Sequence, residues 1–208
     1  MINTNKYLAA KQIMGNGFIG IEEIQKIDTL KFIINDTIPE IPFSIEELDE
    51  KKNDYLLILG LEKLIDGRLV TIRNLVSIFG KDPQIKEPCF YNQDWYSNED
   101  FIDVPMKNKW ILIRKQGYNN SRAVLPQILE QQYSFPSAIE CTYSFFISWL
   151  SLNEKLWYND FIWCSDTDHN GDKIYVGRYN DIDGVNKNGF NIHRHLSLRS
   201  CYCCVAIK

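Results

Sequence analysis

The stretch that decides the fold is SDTDHNGDKIYVG, residues 165–177. Oxygen-bearing side chains alternate along it: Asp166, Asp168, Asn170 and Asp172. This is the spacing of a helix-flanked calcium loop, but position 12 from Asp166 is Gly177, where such a loop needs a carboxylate that binds through both oxygens. The flanks FIWCS and KIYVG are rich in β-branched and aromatic residues, as strands are. The stretch is therefore not a helix–loop–helix calcium site.

Two interpretations of the stretch remain. In the first, Asn170 and Gly171 form a tight hairpin turn, and the Asp side chains cap the turn or face solvent. In the second, a calcium ion binds the four alternating residues, with Asp181 or Asp183 from the next loop as further ligands. The strand-like flanks favour the hairpin, and calcium is the alternative.

The segments around the hairpin indicate an α+β fold. KWILIRK (109–115) predicts a strand, and apolar spacing predicts a helix at 138–150. Four strand-like segments follow: FIWCS, KIYVGRY, GFNIHRHL and CYCCVAIK. Upstream, SIEELDEKK predicts a capped helix, DYLLILGLE a buried strand and TIRNLVSIFG a helix closed by Gly80. We expect a smaller α+β segment at 1–106, packed on a second domain at 107–208.

Composition excludes several classes of protein. The 208 residues carry a net charge of −4, which argues against binding to nucleic acid or to anionic membranes. The N-terminus lacks the apolar core of a signal peptide, and no apolar run reaches the ~20 residues that cross a bilayer. We therefore expect a cytoplasmic protein, or one carried in a phage particle or released. The six cysteines are expected to be reduced and mostly buried.

The tail carries motifs of a known family. A Trp-x-Ser opens it at Trp163, a glycine-plus-aromatic strand follows, and the chain closes on a basic residue after CCVAI. This tail resembles the C-terminal region of C-type-lectin-like domains in bacterial and phage proteins, including ligand-displaying proteins diversified by retroelements. The segment before it resembles uncharacterised proteins of gut bacteria. The resemblance implies a C-type-lectin-like domain over 107–208, in which KWILIRK pairs with CYCCVAIK.

A zinc site is a further hypothesis for the tail. His193 and His195 fall on one side of a strand, as do Cys201 and Cys203. If SLRS is a turn between the two strands, these four side chains would meet as a tetrahedral site. The alternative is that the cysteines alternate through a core strand and the histidines lie at the surface. Motifs for phosphate-binding loops, dinucleotide binding and common hydrolases are absent from the sequence.

The last strands also carry residue types that dominate binding surfaces, since Tyr, Arg and Asn give contact area and hydrogen bonds. The predicted contacts are Tyr175, Arg178, Tyr179, Asn180, Asp181, Asn191, His193, Arg194, Arg199 and Tyr202. We expect recognition of a protein or glycan without catalysis. The alternatives are a structural component of a phage-like assembly and an enzyme of unrecognised type. The oligomeric state stays open.

Overall fold

A computed structural model of the protein describes residues 4–34, 38–82, 86–158, 160–178, 189–194 and 202–204. Over these residues the chain forms six α-helices and seven strands, and the strands build two sheets. The α+β class predicted from the sequence is confirmed.

The first sheet has three strands and draws on both halves of the sequence. Its strands are β1 (Phe18–Ile19), β2 (Tyr55–Gly60) and β3 (Lys109–Arg114). β1 runs parallel to β2, and β3 runs antiparallel to β2 over six residue pairs. All six residues of β2 are buried, as its uninterrupted apolar sequence predicts. The central strand of this sheet is therefore a core strand.

Four helices lie in the first half of the chain: α1 (Thr4–Met14), α2 (Ile21–Gln25), α3 (Ile45–Lys51) and α4 (Ile72–Phe79). α3 and α4 confirm two predictions. Ser44 Oγ accepts the N–H of Glu47 at 3.1 Å, and Thr71 Oγ1 accepts the N–H of Asn74 at 3.2 Å. Gly80 ends α4 with a φ of +69°, a conformation that glycine adopts without strain. Local polar groups thus fix where these helices start and stop.

The second sheet has four strands in the order β6–β5–β4–β7. They are β4 (Phe161–Thr167), β5 (Lys173–Arg178), β6 (Phe190–His193) and β7 (Tyr202–Cys203), and they confirm the four predicted segments over the described residues. One face packs into the main core through Ile162, Cys164, Ile174, Val176 and Ile192. The other face builds a second cluster with Leu129 and Phe135: Phe161, Trp163 and Tyr175. Both faces of this sheet are therefore covered.

Two helices precede the second sheet: α5 (Pro126–Leu129) and α6 (Ala138–Leu152). Pro126 opens α5, a position where its missing N–H leaves no hydrogen bond unmade. α6 is buried at every residue from Ala138 to Ser148, although its apolar spacing predicted a single buried face. The reason is its place between the sheets. Tyr143 donates to the Leu59 carbonyl in β2 at 2.9 Å, and Cys141 Sγ lies 4.0 Å from Cys164 Sγ in β4.

The stretch 165–177 is the hairpin between β4 and β5, as predicted. Its turn is one residue longer than the predicted Asn-Gly turn. The N–H of Gly171 bonds the Asp168 carbonyl at 3.0 Å, the N–H of Asp168 bonds the Asp172 carbonyl at 2.9 Å, and Gly171 has a φ of +85°. This is a three-residue loop closed by a left-handed glycine. Asp168 Oδ1 caps it by accepting the N–H groups of Asn170 and Asp172, both at 2.9 Å.

The strand pairing implied by the lectin-like resemblance is wrong over the described residues. β3 pairs with β2, whereas β7 pairs in parallel with β4. β3 is the edge strand of its sheet, and the described part of the last strand is held at β4 instead, where Cys203 Sγ contacts Asp160 Oδ1 and the Phe161 carbonyl. The loop after β3 does meet the end of β7, where the N–H of Tyr118 donates to the Cys204 carbonyl at 3.3 Å.

The main core includes side chains from both predicted parts of the chain. Phe79 stacks on Phe146 with ring centroids 4.2 Å apart, and Phe90 packs on the same Phe146 ring at 4.8 Å. The predicted segment 1–106 is thus in direct contact with 107–208, and the boundary itself stays a prediction.

Gly177 provides a test of how closely β4 and β5 approach. A Cβ at this position would lie 1.9 Å from the Asp160 carbonyl oxygen, which is backbone and cannot rotate away. We expect Gly177→Ala to lower the free energy of unfolding by at least about 2 kcal/mol in urea titrations. Gly171→Asn is the control, since open space surrounds Gly171 and Asn tolerates its left-handed conformation. Equal stability of the two variants would contradict this packing.

Candidate functional site

The side chains at the hairpin turn do not share one set of partners. Asp166 Oδ2 accepts the N–H of Ala138 at the start of α6, at 2.6 Å. Asp168 instead caps the turn through Oδ1. Asn170 is exposed and Asp172 is half-buried. Calcium binding by Asp166, Asp168, Asn170 and Asp172 stays the alternative interpretation. An ion there would have to share the carboxylates of Asp166 and Asp168 with the backbone N–H groups that they already accept.

Five side chains meet beside the turn, and we name them the turn cluster: Trp95, Glu99, Asp168, His169 and Arg194. Glu99 accepts the backbone N–H of His169 at 2.9 Å and its ring Nδ1 at 2.7 Å, so Nδ1 carries the proton. Arg194 Nη1 reaches Asp168 Oδ2 at 3.0 Å and Glu99 Oε1 at 3.4 Å. The Arg194 guanidinium carbon also lies 4.6 Å from the Trp95 ring centroid. Ion pairs and ring stacking therefore join three separate segments of the chain, at residues 95–99, 168–169 and 194.

The segment that carries Trp95 and Glu99 is held along the outer edge of β6. The Trp95 indole N–H donates to the Ile192 carbonyl at 3.0 Å, and Gln93 Oε1 accepts the Ile192 N–H at 3.3 Å. These side chains bond the strand edge as a neighbouring strand would. Glu99 lies between two short 3-10 turns and faces the hairpin turn from there.

Asp168 is the most enclosed acid of the turn cluster, because its side chain has no exposed area. Burial alone would raise the pKa of this carboxyl. The backbone N–H groups of Asp172 and Asn170 and the guanidinium of Arg194 outweigh burial and hold the pKa below its usual range. The carboxylate thus stays charged near neutral pH and keeps Arg194 in place.

The turn cluster contains a set of possible metal ligands. Glu99, Asp168 and His169 each offer one ligand atom, and these atoms lie within 4.8 Å of one another. In this structure Arg194 lies against both carboxylates and supplies the positive charge there. A divalent ion would have to displace the guanidinium.

Three predicted contact residues are buried, so the expectation that they form an exposed face is wrong for them. Tyr175 belongs to the second hydrophobic cluster and is 5% exposed. Arg178 is 3% exposed and pairs with Glu87. Asn191 is 2% exposed and donates to the Gly189 carbonyl at 2.8 Å. Their residue types suggested a binding surface, but the second sheet is covered on both faces.

Of the other predicted contacts, three are described by the structure and four are not. His193 is half-buried and stacks on Tyr175 with ring centroids 5.3 Å apart. Arg194 is half-buried within the turn cluster. Tyr202 belongs to β7. The remaining contacts lie outside the described residues: Tyr179, Asn180, Asp181 and Arg199.

The zinc hypothesis, the less favoured interpretation of the tail, gains no support from the described strands that carry His193 and Cys203. β6 and β7 are the two edges of the second sheet, with β5 and β4 between them, so the two strands form no hairpin. Cys203 Sγ donates instead to Asp160 Oδ1 at 3.2 Å, and burial raises the pKa of this thiol. The other two proposed ligands, His195 and Cys201, lie outside the described residues. Five cysteines are buried, as predicted: Cys89, Cys141, Cys164, Cys203 and Cys204.

Sequence reasoning missed three members of the turn cluster, Trp95, Glu99 and His169. His169 lies within residues 165–177, and its place at the tip of a predicted turn is the one sequence signal that could have identified it. Glu99 and Trp95 are about 70 residues upstream in an irregular segment, so no periodicity connects them to the turn.

His193 provides a prediction about pH. Burial lowers the pKa of its imidazole from 6.5 to about 4. The unfolded chain therefore binds more protons between these values, so stability falls as the pH falls from 6.5 towards 4, by up to about 3 kcal/mol. Urea titrations at several pH values should show this slope in the native protein. The slope should become shallower to the same extent in His193→Phe and His193→Gln, although only Phe preserves the aromatic stack. If the slope of stability against pH is unchanged in both variants, His193 is not its source.

Comparisons of the chain with protein-family models, curated proteins and solved structures found no match. The C-type-lectin-like resemblance stays a prediction. Among the described residues, no helix is both long and apolar enough to cross a membrane.

Proposed function

We propose that this chain is a recognition protein that binds a protein or glycan partner without catalysis, and that the turn cluster is its contact surface. The observation that carries the proposal is the contrast between two bonded side chains. His169 is 64% exposed, whereas Glu99, which fixes its ring, is 6% exposed. An exposed imidazole held by a buried carboxylate is a group oriented before any partner arrives.

The chemistry of the turn cluster supports recognition. Because His169 Nδ1 bonds Glu99, Nε2 is left to bond a partner, as an acceptor when neutral and as a donor when protonated. Trp95 and Arg194 add the residue types that supply most binding energy at interfaces. Since the hydrogen bonds around Asp168 already hold the turn, little conformational freedom would be lost on binding.

The charge of the turn cluster suggests the kind of partner. Glu99 and Asp168 together carry two negative charges, and Arg194 supplies one positive charge. With a neutral His169 the cluster is negative by one. It therefore favours hydroxyl, amide or cationic donors, such as sugar hydroxyls or Lys side chains, over anionic groups.

His169→Ala tests the proposal. The labelled native protein is applied to a glycan array and to an array of synthetic peptides, and the strongest hit is titrated in solution. We expect His169→Ala to weaken that interaction at least tenfold, since it removes the oriented ring while the backbone N–H of residue 169 still bonds Glu99. The melting temperature should fall by only a few degrees, because Glu99 loses one hydrogen bond but keeps the N–H of residue 169 and Arg194 as partners.

Asn170→Ala is the matched control, because Asn170 is the exposed neighbour in the same turn and donates to Asp168 through its backbone alone. Its affinity should stay within about threefold of the native value, a difference below 1 kcal/mol. Native affinity in His169→Ala would show that the contact surface lies elsewhere. A native protein that binds neither array would count against recognition of these partner classes.

A second candidate function, assembly into a larger particle, is favoured by two apolar side chains at α5. Leu125 and Ile128 are 46% and 47% exposed, and their spacing of three places them on one side of the helical turn. Exposed apolar neighbours of this kind mark contact surfaces. If copies assemble here, light scattering after size exclusion should show an oligomer that Leu125→Lys reduces to the monomer. A native monomer at all concentrations would contradict self-assembly.

A further inference from the structure

Arg178, the last residue of β5, is a buried cation that uses only part of its hydrogen-bonding capacity. Its Nη2 donates to both oxygens of Glu87, at 2.9 and 3.1 Å. Nε and Nη1 are also buried, and within the described part of the chain they find no acceptor. A guanidinium has five N–H donors arranged to hold oxyanions through two nitrogens at once. Among the described residues, only Nη2 of the Arg178 guanidinium has an acceptor, Glu87.

The surroundings of Arg178 are aromatic and cationic. Its guanidinium carbon lies 4.4 Å from the ring centroid of Tyr158 and 5.3 Å from that of Trp149. Lys155 Nζ lies 4.8 Å from the same Trp149 centroid. Two cationic side chains therefore contact one indole ring. Tyr158 is 44% exposed, so one of the two rings beside the buried guanidinium is itself in contact with solvent.

We propose that Arg178 and Lys155, with the rings of Trp149 and Tyr158, form a binding site for a small oxyanion, either a carboxylate or a phosphate group. Buried N–H donors without acceptors are costly, and a charge-assisted bond to an oxyanion removes that cost. Stacked aromatic rings suit a guanidinium, which is more weakly hydrated than an ammonium group, and hold its plane in position. The anion bonds a free nitrogen of Arg178 and enters when the Tyr158 ring turns outward.

Glu87 sets the affinity of this site. It already places one carboxylate on Arg178, so an incoming anion meets a guanidinium that is partly neutralised. Removing the Glu87 charge should therefore tighten anion binding, whereas removing the Lys155 charge should weaken it. This pair of opposite effects distinguishes a defined site from general attraction of anions to a positive surface.

The site is separate from the turn cluster. Arg178 ends β5, whereas the hairpin turn lies at the other end of that strand, before Lys173. The two ends of a strand of this length are about 16 Å apart. Loss of anion binding would therefore leave recognition through His169 untouched, and the reverse also holds.

The experiment is a set of thermal melts of the intact chain at pH 7.5 in sodium phosphate, sodium acetate or sodium chloride at equal ionic strength. We expect phosphate or acetate to raise the melting temperature in a saturable manner beyond chloride. The more effective of the two identifies a phosphate or a carboxylate as the preferred group. The Nε–H resonance of Arg178 in ¹⁵N NMR spectra should shift over the same concentration range.

Three variants make the result specific. Lys155→Gln should raise the apparent Kd at least threefold, and Glu87→Gln should lower it at least threefold. Lys51→Gln is the matched control, because Lys51 Nζ also lies over an aromatic ring, 5.3 Å from the Tyr55 centroid, and this variant should titrate like the native protein. Effects of phosphate and acetate no larger than that of chloride would overturn the proposal. So would equal titrations of the Lys155 and Glu87 variants.

Discussion

The burial of α6 is the constraint on which the rest of the structure depends. Because every residue from Ala138 to Ser148 is buried, the helix cannot rest on one sheet with its other side in water. The first sheet covers one side, where Tyr143 bonds β2, and the second sheet covers the other, where Cys141 meets Cys164. Because this helix needs a sheet on each side, strands from both halves of the sequence pack around it in one core.

The start of α6 also connects this core to the turn cluster. Its first N–H groups are buried and need acceptors, and Asp166 in β4 supplies one by bonding Ala138. Asp166 lies two residues before Asp168, so a carboxylate near the end of β4 fixes the helix start and one just after β4 fixes the hairpin turn. The turn is then completed from outside the sheet by Glu99 and Arg194, which places an exposed His169 on a rigid base.

Much of the fold could be predicted from the sequence, because its signals are local. The caps at Ser44 and Gly80, the apolar run of β2 and the β-branched and aromatic content of β4 and β5 each depend on a few adjacent residues. The site could not be predicted to the same extent. Whether Arg178 is exposed depends on α6 covering the sheet, and Glu99 meets His169 only through the tertiary fold. Distant pairings of this kind leave no periodic pattern in a single sequence.

We infer that the turn cluster is rigid before a partner binds. Amide hydrogen exchange tests it directly at three N–H groups of an otherwise exposed turn, since His169 donates to Glu99 while Asn170 and Asp172 donate to Asp168. We expect slow exchange at all three N–H groups in the native protein and faster exchange at all three in Arg194→Ala. Exchange at the rate of an unstructured peptide in the native protein would contradict this inference.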